Sequence, residues 1–208
     1  NITPDHLDRY EFQMQNYVNA KFRITQNLTK KECFVFCADD PITAKELDKI
    51  VITAKKLPFT QKEKVEQGAC IDEDKLYVRY EDDEYSMYMK ELALQGKHNL
   101  YNQMAAAIAA KVVDIDNKLI RESLMSFQGV EHRLEKVLTV KGVLYVNDSK
   151  ATNVDAAWYA LDSMTTPVVW IAGGKDKGND YSQLYELVKN KVRILICMGL
   201  HNEKLHQC

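Results

Sequence analysis

The sequence predicts an α/β protein built on parallel strands. Three observations carry this expectation. From Val143 onward, short apolar runs of strand length alternate with helical stretches, and the connections between them are short. A helix over Tyr101–Val113 carries Ala105, Ala106, Ala107, Ala109 and Ala110, small side chains that let a helix approach a sheet closely. A third apolar run, Glu32–Cys37, has the length and aromatic content of a buried strand.

Composition sets the outer bounds. At roughly 150 residues per domain, 208 residues suggest one to two domains. Apolar residues make up 46% and charged residues 28%, which argues against disorder. The charge is nearly balanced, 28 basic against 30 acidic side chains, so neither a nucleic-acid-binding polybasic surface nor an acidic tail is expected. No apolar run approaches the ~18 residues of a membrane span, and no signal peptide is recognisable. Five cysteines form no C-x-x-C pair. Cys33 and Cys37, four apart in a strand, would be ~13 Å apart, too far to bridge. Reduced thiols in a cytoplasmic protein are the simplest reading.

In chain order, Thr3-Pro4 has the form of an N-cap followed by Pro at the first helical position, so a short helix is expected over Asp5, His6, Leu7 and Asp8. A second helix has an apolar stripe of Met14, Tyr17, Val18 and Phe22, and Lys21 falls on that stripe. Snorkelling of its ammonium is the ordinary explanation. Glu32–Cys37 ends in a turn at Ala38–Pro41; Lys45–Ala54 reads equally as helix or strand. Leu76–Tyr80 alternates as a strand, and Glu81–Glu84 is an acidic hairpin tip without the Gly and ligand spacing of a calcium loop. After the alanine-rich helix, Asn117 caps a helix to Phe127, and Gln128-Gly129 marks a domain boundary. Beyond it come strand Val143–Val146, helix Asn153–Ser163 with Trp158 and Leu161 inward, strand Val168–Ala172, helix Tyr181–Val188 and strand Val192–Met198.

Ligands of a parallel sheet bind beyond the carboxyl ends of its strands. Those ends are Asn147–Asn153, Gly173–Gly178 and Gly199–His201. The first is rich in donors and feeds a helix N-terminus, a natural anion site. The second combines glycines with two lysines. The chain contains no G-x-x-x-x-G-K-[ST] and no G-x-G-x-x-G after a strand, and its five histidines have no paired metal spacing.

These segments, in order, resemble the Mur ligases. Asn1–Tyr10 is similar to the family's N-[IV]-T-x-D-H-x-D-R-Y stretch, and Lys21 lies fifteen residues past His6, where the family carries a modified lysine. Gly96–Asn102, Gly129–Glu135, Asn147–Asn153, Gly173-Gly174 and Lys177 match further motifs in order and spacing. The form Asn-Asp-Ser-Lys-Ala-Thr-Asn, with Arg9-Tyr10, resembles the D-glutamate-adding branch. The resemblance implies part of a P-loop-type central α/β domain, the ATP-binding domain, over 1–128. A Rossmann-like parallel-sheet domain, itself incomplete, would follow over 129–208.

The resemblance also implies a cytoplasmic, monomeric, ATP- and Mg²⁺-dependent ligase that joins D-glutamate to UDP-N-acetylmuramoyl-L-alanine. Residue by residue, His6 would bind magnesium, and Lys21 would carry a CO₂ adduct whose oxygens hold or orient the same ion. Only a neutral amine reacts with CO₂, and burial favours the neutral form of a lysine. Asn99 and Asn102 would read adenine. Arg133 and Asp148 would hold ATP, Lys150 and Thr152 would lie near the substrate carboxylates, and Lys177 would grip D-glutamate. A uridine-binding domain, a P-loop and a metal-binding Glu are expected before Asn1. A D-glutamate-contacting Ser is expected after Cys208, so the chain reads as an inactive piece of a longer ligase. Another amino-acid specificity within the family, or a non-catalytic nucleotide-binding module, are the alternatives.

Overall fold

The apolar run after Glu32 becomes β1 (Cys33–Cys37) in the computed structural model, which describes residues 1–174, 179–199 and 202–207. β1 is one edge of a five-stranded sheet. β2 (Lys55–Thr60) runs parallel to it, β3 (Gly68–Asp72) pairs parallel to the end of β2, and β4 (Lys75–Tyr80) and β5 (Asp83–Tyr88) follow as antiparallel hairpins. At Gly68 a β-carbon would stand 2.0 Å from the carbonyl oxygen of Pro58, so only glycine admits the close approach of β2 and β3. The expected acidic tip is a two-residue turn, Glu81-Asp82, with Glu81 at φ 54° and Asp83 already in the strand.

The alanine-rich helix, α3 (Lys97–Val112), starts four residues earlier than its periodicity suggests and packs across this sheet. Met104, Ala107 and Ile108 on its inner face close over Leu57, Leu76, Val78 and Met87 in one core. Each of these buried Leu, Ile, Val and Met side chains is worth about 1.5–3 kcal/mol. The other helices up to Gln128 are α1 (Met14–Phe22), α2 (Pro41–Leu47) and α4 (Asn117–Ser126), and α4 packs against α3. The stretch left open between helix and strand is helix only to Leu47. Its start lies in the presumed turn, where the Asp40 carboxylate accepts from the Thr43 amide and Pro41 holds the first helical position. The cap of α4 is Asp116, which accepts from Lys118, rather than Asn117. Residues 1–2 and 18–128 form the unit that contains this sheet.

The second unit holds residues 3–17 and 129–208, so the chain divides after Gln128 while the His6 segment groups with the later residues. The helix expected over Asp5–Asp8 is reduced to one 3₁₀ turn, Leu7–Arg9. His6 stands immediately before it at φ 53°, ψ 26°, a left-handed conformation that no right-handed helix continues through. Strand Val143–Val146 is β7 (Val143–Asn147), but it hydrogen-bonds antiparallel to β6 (Glu135–Val140) instead of joining a parallel sheet. Lys141 and Gly142, at φ 49° and 80°, make the two-residue turn whose twist suits a hairpin. The parallel pair is β8 (Val168–Gly173) with β9 (Val192–Met198), and α6 (Tyr185–Lys191) leads into β9. α5 (Val154–Ser163) is capped by Asn153, whose side chain accepts from Ala156, and buries Leu161; Trp158 is only partly covered. Among the described residues no helix is long and apolar enough to cross a membrane.

Candidate functional site

Within the second unit, the His6 segment, the first turn of α5 and residues 179–183 surround a cavity of about 400 Å³. Pro4, Asp5, His6, Leu7, Val154, Asp155, Asn179, Asp180 and Gln183 line it. The His6 amide donates to Asp5 Oδ1 at 2.8 Å, and its Nε2 lies 3.7 Å from Asp5 Oδ2. The left-handed backbone at His6 therefore brings imidazole and carboxylate to one side of the chain. Gln183 donates to Asp155 Oδ1 at 3.4 Å, and Asp180 accepts from the Ser182 amide at 2.9 Å. That backbone hydrogen bond holds the Asp180 carboxyl below the usual carboxylate range. Three aspartates and one imidazole give the cavity an anionic lining suited to a cation or an amine.

The segments Glu131–Glu135 and Asn147–Asn153 are laced together in the same unit. Asp148 Oδ1 accepts from the Leu134 amide at 3.1 Å, and the Lys150 amide donates to the His132 carbonyl at 3.0 Å. Asn147 Nδ2 lies 2.7 Å from His132 Nδ1 and 3.3 Å from Glu135 Oε2. His132 and Leu134 both have positive φ, so the chain folds back sharply on either side of Arg133 and leaves that side chain exposed. Arg133 and Asp148 are thus brought onto adjoining strands of backbone. Lys150 and Thr152 follow them, both exposed. Lys177 lies outside the described residues.

In the first unit, Asn99 and Asn102 occupy the first two turns of α3, three residues apart and hence on one face. Asn99 donates to the Gln95 carbonyl at 2.9 Å. Beneath them Asp39 accepts from Thr60 Oγ1 at 2.6 Å, the Gln61 amide at 2.7 Å and Tyr101 Oη at 2.8 Å. Burial would raise this carboxyl, but the bonds from Thr60, Gln61 and Tyr101, with Lys62 nearby, outweigh it and hold it low. Lys21, in the last turn of α1, is exposed, although Tyr17 and Val18 on the same stripe are buried. The helix ends one residue later and passes into a 3₁₀ turn, so the stripe does not continue inward past Lys21.

Comparison with known proteins matches residues 1–110 to the Mur ligase middle domain and residues 132–207 to the Mur ligase glutamate ligase domain. The chain belongs to the Mur ligase family. Among curated relatives of this family, the UDP-N-acetylmuramoylalanine–D-glutamate ligase of Bacteroides fragilis is 56% identical over 207 residues. That of Christiangramia forsetii is 51% identical over 205 residues, and that of Porphyromonas gingivalis 49% over 209. These alignments cover 99–100% of this chain but 46% of each relative, so the chain spans about half the length of the Mur ligases it matches. Solved structures agree on the fold. MurF from Acinetobacter baumannii superposes with a TM-score of 0.69 at 18% identity, covering 96% of this chain and 45% of that one. A pseudomurein peptide ligase type C from Methanothermus fervidus gives 0.69 at 22% identity, covering 100% and 49%. MurF from Thermotoga maritima, solved with ADP, gives 0.64 at 19% identity, covering 100% and 53%.

The resemblance to Mur ligases also implies Mg²⁺. Among the described residues no group of three or more His, Cys, Asp or Glu side chains is placed to hold a metal ion. Mg²⁺ is held through one or two carboxylates and otherwise keeps water and substrate phosphate oxygens. The Asp5 carboxylate, with His6 Nε2 3.7 Å from it, meets that sparse requirement. Sequence reasoning passed over Asp39, whose partner Tyr101 lies 62 residues away, while Asn147 and Glu135 lay inside matched motifs with no role of their own assigned. Only the doubled Asp39-Asp40 at a strand's carboxyl end was a local signal.

Proposed function

We propose that this chain is part of an ATP-dependent ligase that forms the amide between D-glutamate and UDP-N-acetylmuramoyl-L-alanine in cytoplasmic peptidoglycan precursor synthesis. The observation that carries this reading is the 49–56% identity to curated ligases of that name across the chain's length. On this reading residues 1–128 belong to the central, ATP-binding domain and 129–208 to the C-terminal domain. The γ-phosphoryl group of ATP passes to an oxygen of the L-alanine carboxylate, releasing ADP and leaving an acyl phosphate. The D-glutamate amine attacks the acyl carbon, loses a proton, and the tetrahedral intermediate expels inorganic phosphate as the amide forms. The complete enzyme acts as a monomer.

His6, beside Asp5, and Lys21 as its carbamate would hold Mg²⁺, which when bound neutralises charge on the transferring phosphoryl group. Asn99 and Asn102 match the donor and acceptor of adenine with their amides. Arg133 and Asp148, on the laced segments, hold the phosphate and ribose of ATP. Lys150 and Thr152 lie toward the substrate carboxylates, and Lys177 pairs with a carboxylate of D-glutamate.

Phosphate release by the complete protein tests the assignment. It should require ATP, UDP-N-acetylmuramoyl-L-alanine and D-glutamate together. Release that instead follows L-alanine or a diamino acid would move the chain to another branch of the family. No amino-acid-dependent release at all would favour a nucleotide-binding module.

A further inference from the structure

We propose that Asp39 is a positioning residue for ATP: it locks the first two turns of α3 to the carboxyl ends of β1 and β2, and so fixes Asn99 and Asn102 for the adenine. The inference rests on the proposed role of those two asparagines. Asp39 lies two residues past β1, and its partners Thr60 and Gln61 close β2, so the carboxylate sits where two parallel strands deliver their chain ends. It gathers three donors from three places. Thr60, completely buried, and the Gln61 amide tie the strand ends together, and Tyr101 Oη reaches down from α3.

A second link runs through the same group. Asp39 holds the Gln61 backbone, and Gln61 Nε2 donates to the carbonyl of Lys97, the first residue of α3, at 2.8 Å. The Tyr101 ring also rests against Phe59 of β2, with centroids 6.1 Å apart. The helix has no side-chain cap of its own: Gly96 precedes it at φ 99° and offers none. Its first two turns are therefore held from the sheet, at residues 97 and 101, and the two asparagines lie at 99 and 102 between and beside those anchors. Every hydrogen bond at Asp39 needs an acceptor. A carboxylate offers two such oxygens and a charge, whereas the isosteric amide offers one neutral acceptor and an NH₂, so either the Thr60 hydroxyl turns from donor to acceptor or the Gln61–Tyr101 pair is lost.

Steady-state kinetics of the complete ligase test this. Asp39→Asn should raise KM for ATP about tenfold, the worth of one hydrogen bond to a charged group. kcat and KM for D-glutamate should stay within about twofold, and the preference for ATP over GTP should fall. Tyr101→Phe, which removes a single hydroxyl and is the milder change for folding, should raise KM for ATP about threefold. Unchanged KM for ATP in both variants would overturn the inference, as would a parallel loss in every kinetic constant. Asn99→Ala separates the inference from its premise. If that variant raises KM for ATP while Asp39→Asn and Tyr101→Phe do not, the positioning role alone is wrong. If Asn99→Ala leaves KM for ATP unchanged, the adenine assignment fails and the positioning role falls with it.

Discussion

Lys21 and Lys111 show how much one residue's setting matters. Each is a lysine at helical spacing on an apolar stripe. Lys21 follows Tyr17 and Val18 but is exposed, while Lys111 follows Met104, Ala107 and Ile108 and is buried with 5% of its surface accessible. Burial, which would favour CO₂ addition, is thus not what the first unit gives Lys21. The proposed carbamate rests on the resemblance to the family's motif instead. In the complete ligase, Lys21→Ala should lower turnover by roughly 10²–10³, the usual loss when a fixed charge-stabilising group is removed, with the fold intact. Acetate or formate should restore part of the rate by supplying carboxylate oxygens, and CO₂-depleted buffer at mildly acidic pH should lower wild-type activity until bicarbonate is added. Near-normal turnover of Lys21→Ala, or rescue by ammonium compounds and not by carboxylates, would leave Lys21 as an ordinary surface lysine.

At the scale of elements, Lys111 explains how the β4–β5 hairpin meets the α3–α4 junction. Its ammonium bonds to Asp83, the first residue of β5, and to Asn117 Oδ1 at 2.8 Å, the first residue of α4. Asn117 also donates to Asp83 Oδ1 at 3.3 Å. The pair is asymmetric, because the Asp83 side chain is 56% exposed while that of Lys111 is 4% exposed. Removing Asp83 strands a buried ammonium; removing Lys111 leaves a carboxylate that water can solvate. Asp83→Ala should therefore destabilise the first unit more than Lys111→Met, which should stay within about 1 kcal/mol of wild type in urea unfolding. Lys111 and then Asn117 hold the Asp83 carboxyl below its ordinary value. Its stabilisation is complete above the unfolded value of about 3.9 and is lost as pH falls through the lower folded one. Asp83→Asn should show a smaller acid-side loss of stability than wild type. Equal acid sensitivity of the two proteins would rule out this link.

For the whole chain, the absence of a G-x-x-x-x-G-K-[ST] motif has a direct consequence. That motif is the sequence form of the backbone cradle and lysine that hold the β- and γ-phosphates in P-loop proteins. The purified 208-residue chain should release no phosphate in the presence of ATP, UDP-N-acetylmuramoyl-L-alanine and D-glutamate. Turnover by that chain alone would require a phosphate site of a different kind. The sequence by itself determined the α/β class, the alanine-rich helix and the ordered motifs, because these depend on local periodicity, turn residues and spacing. Only the tertiary structure decided that β7 turns back onto β6, since pairing depends on a Lys141-Gly142 turn and on a partner strand whose own pattern is weak. It alone decided which stripe lysine is buried, because burial depends on what packs against a helix and not on the helix's own period. It alone joined Asp39 to Tyr101 across 62 residues, since a carboxylate's partners are chosen by where parallel strands end and not by its neighbours in the chain.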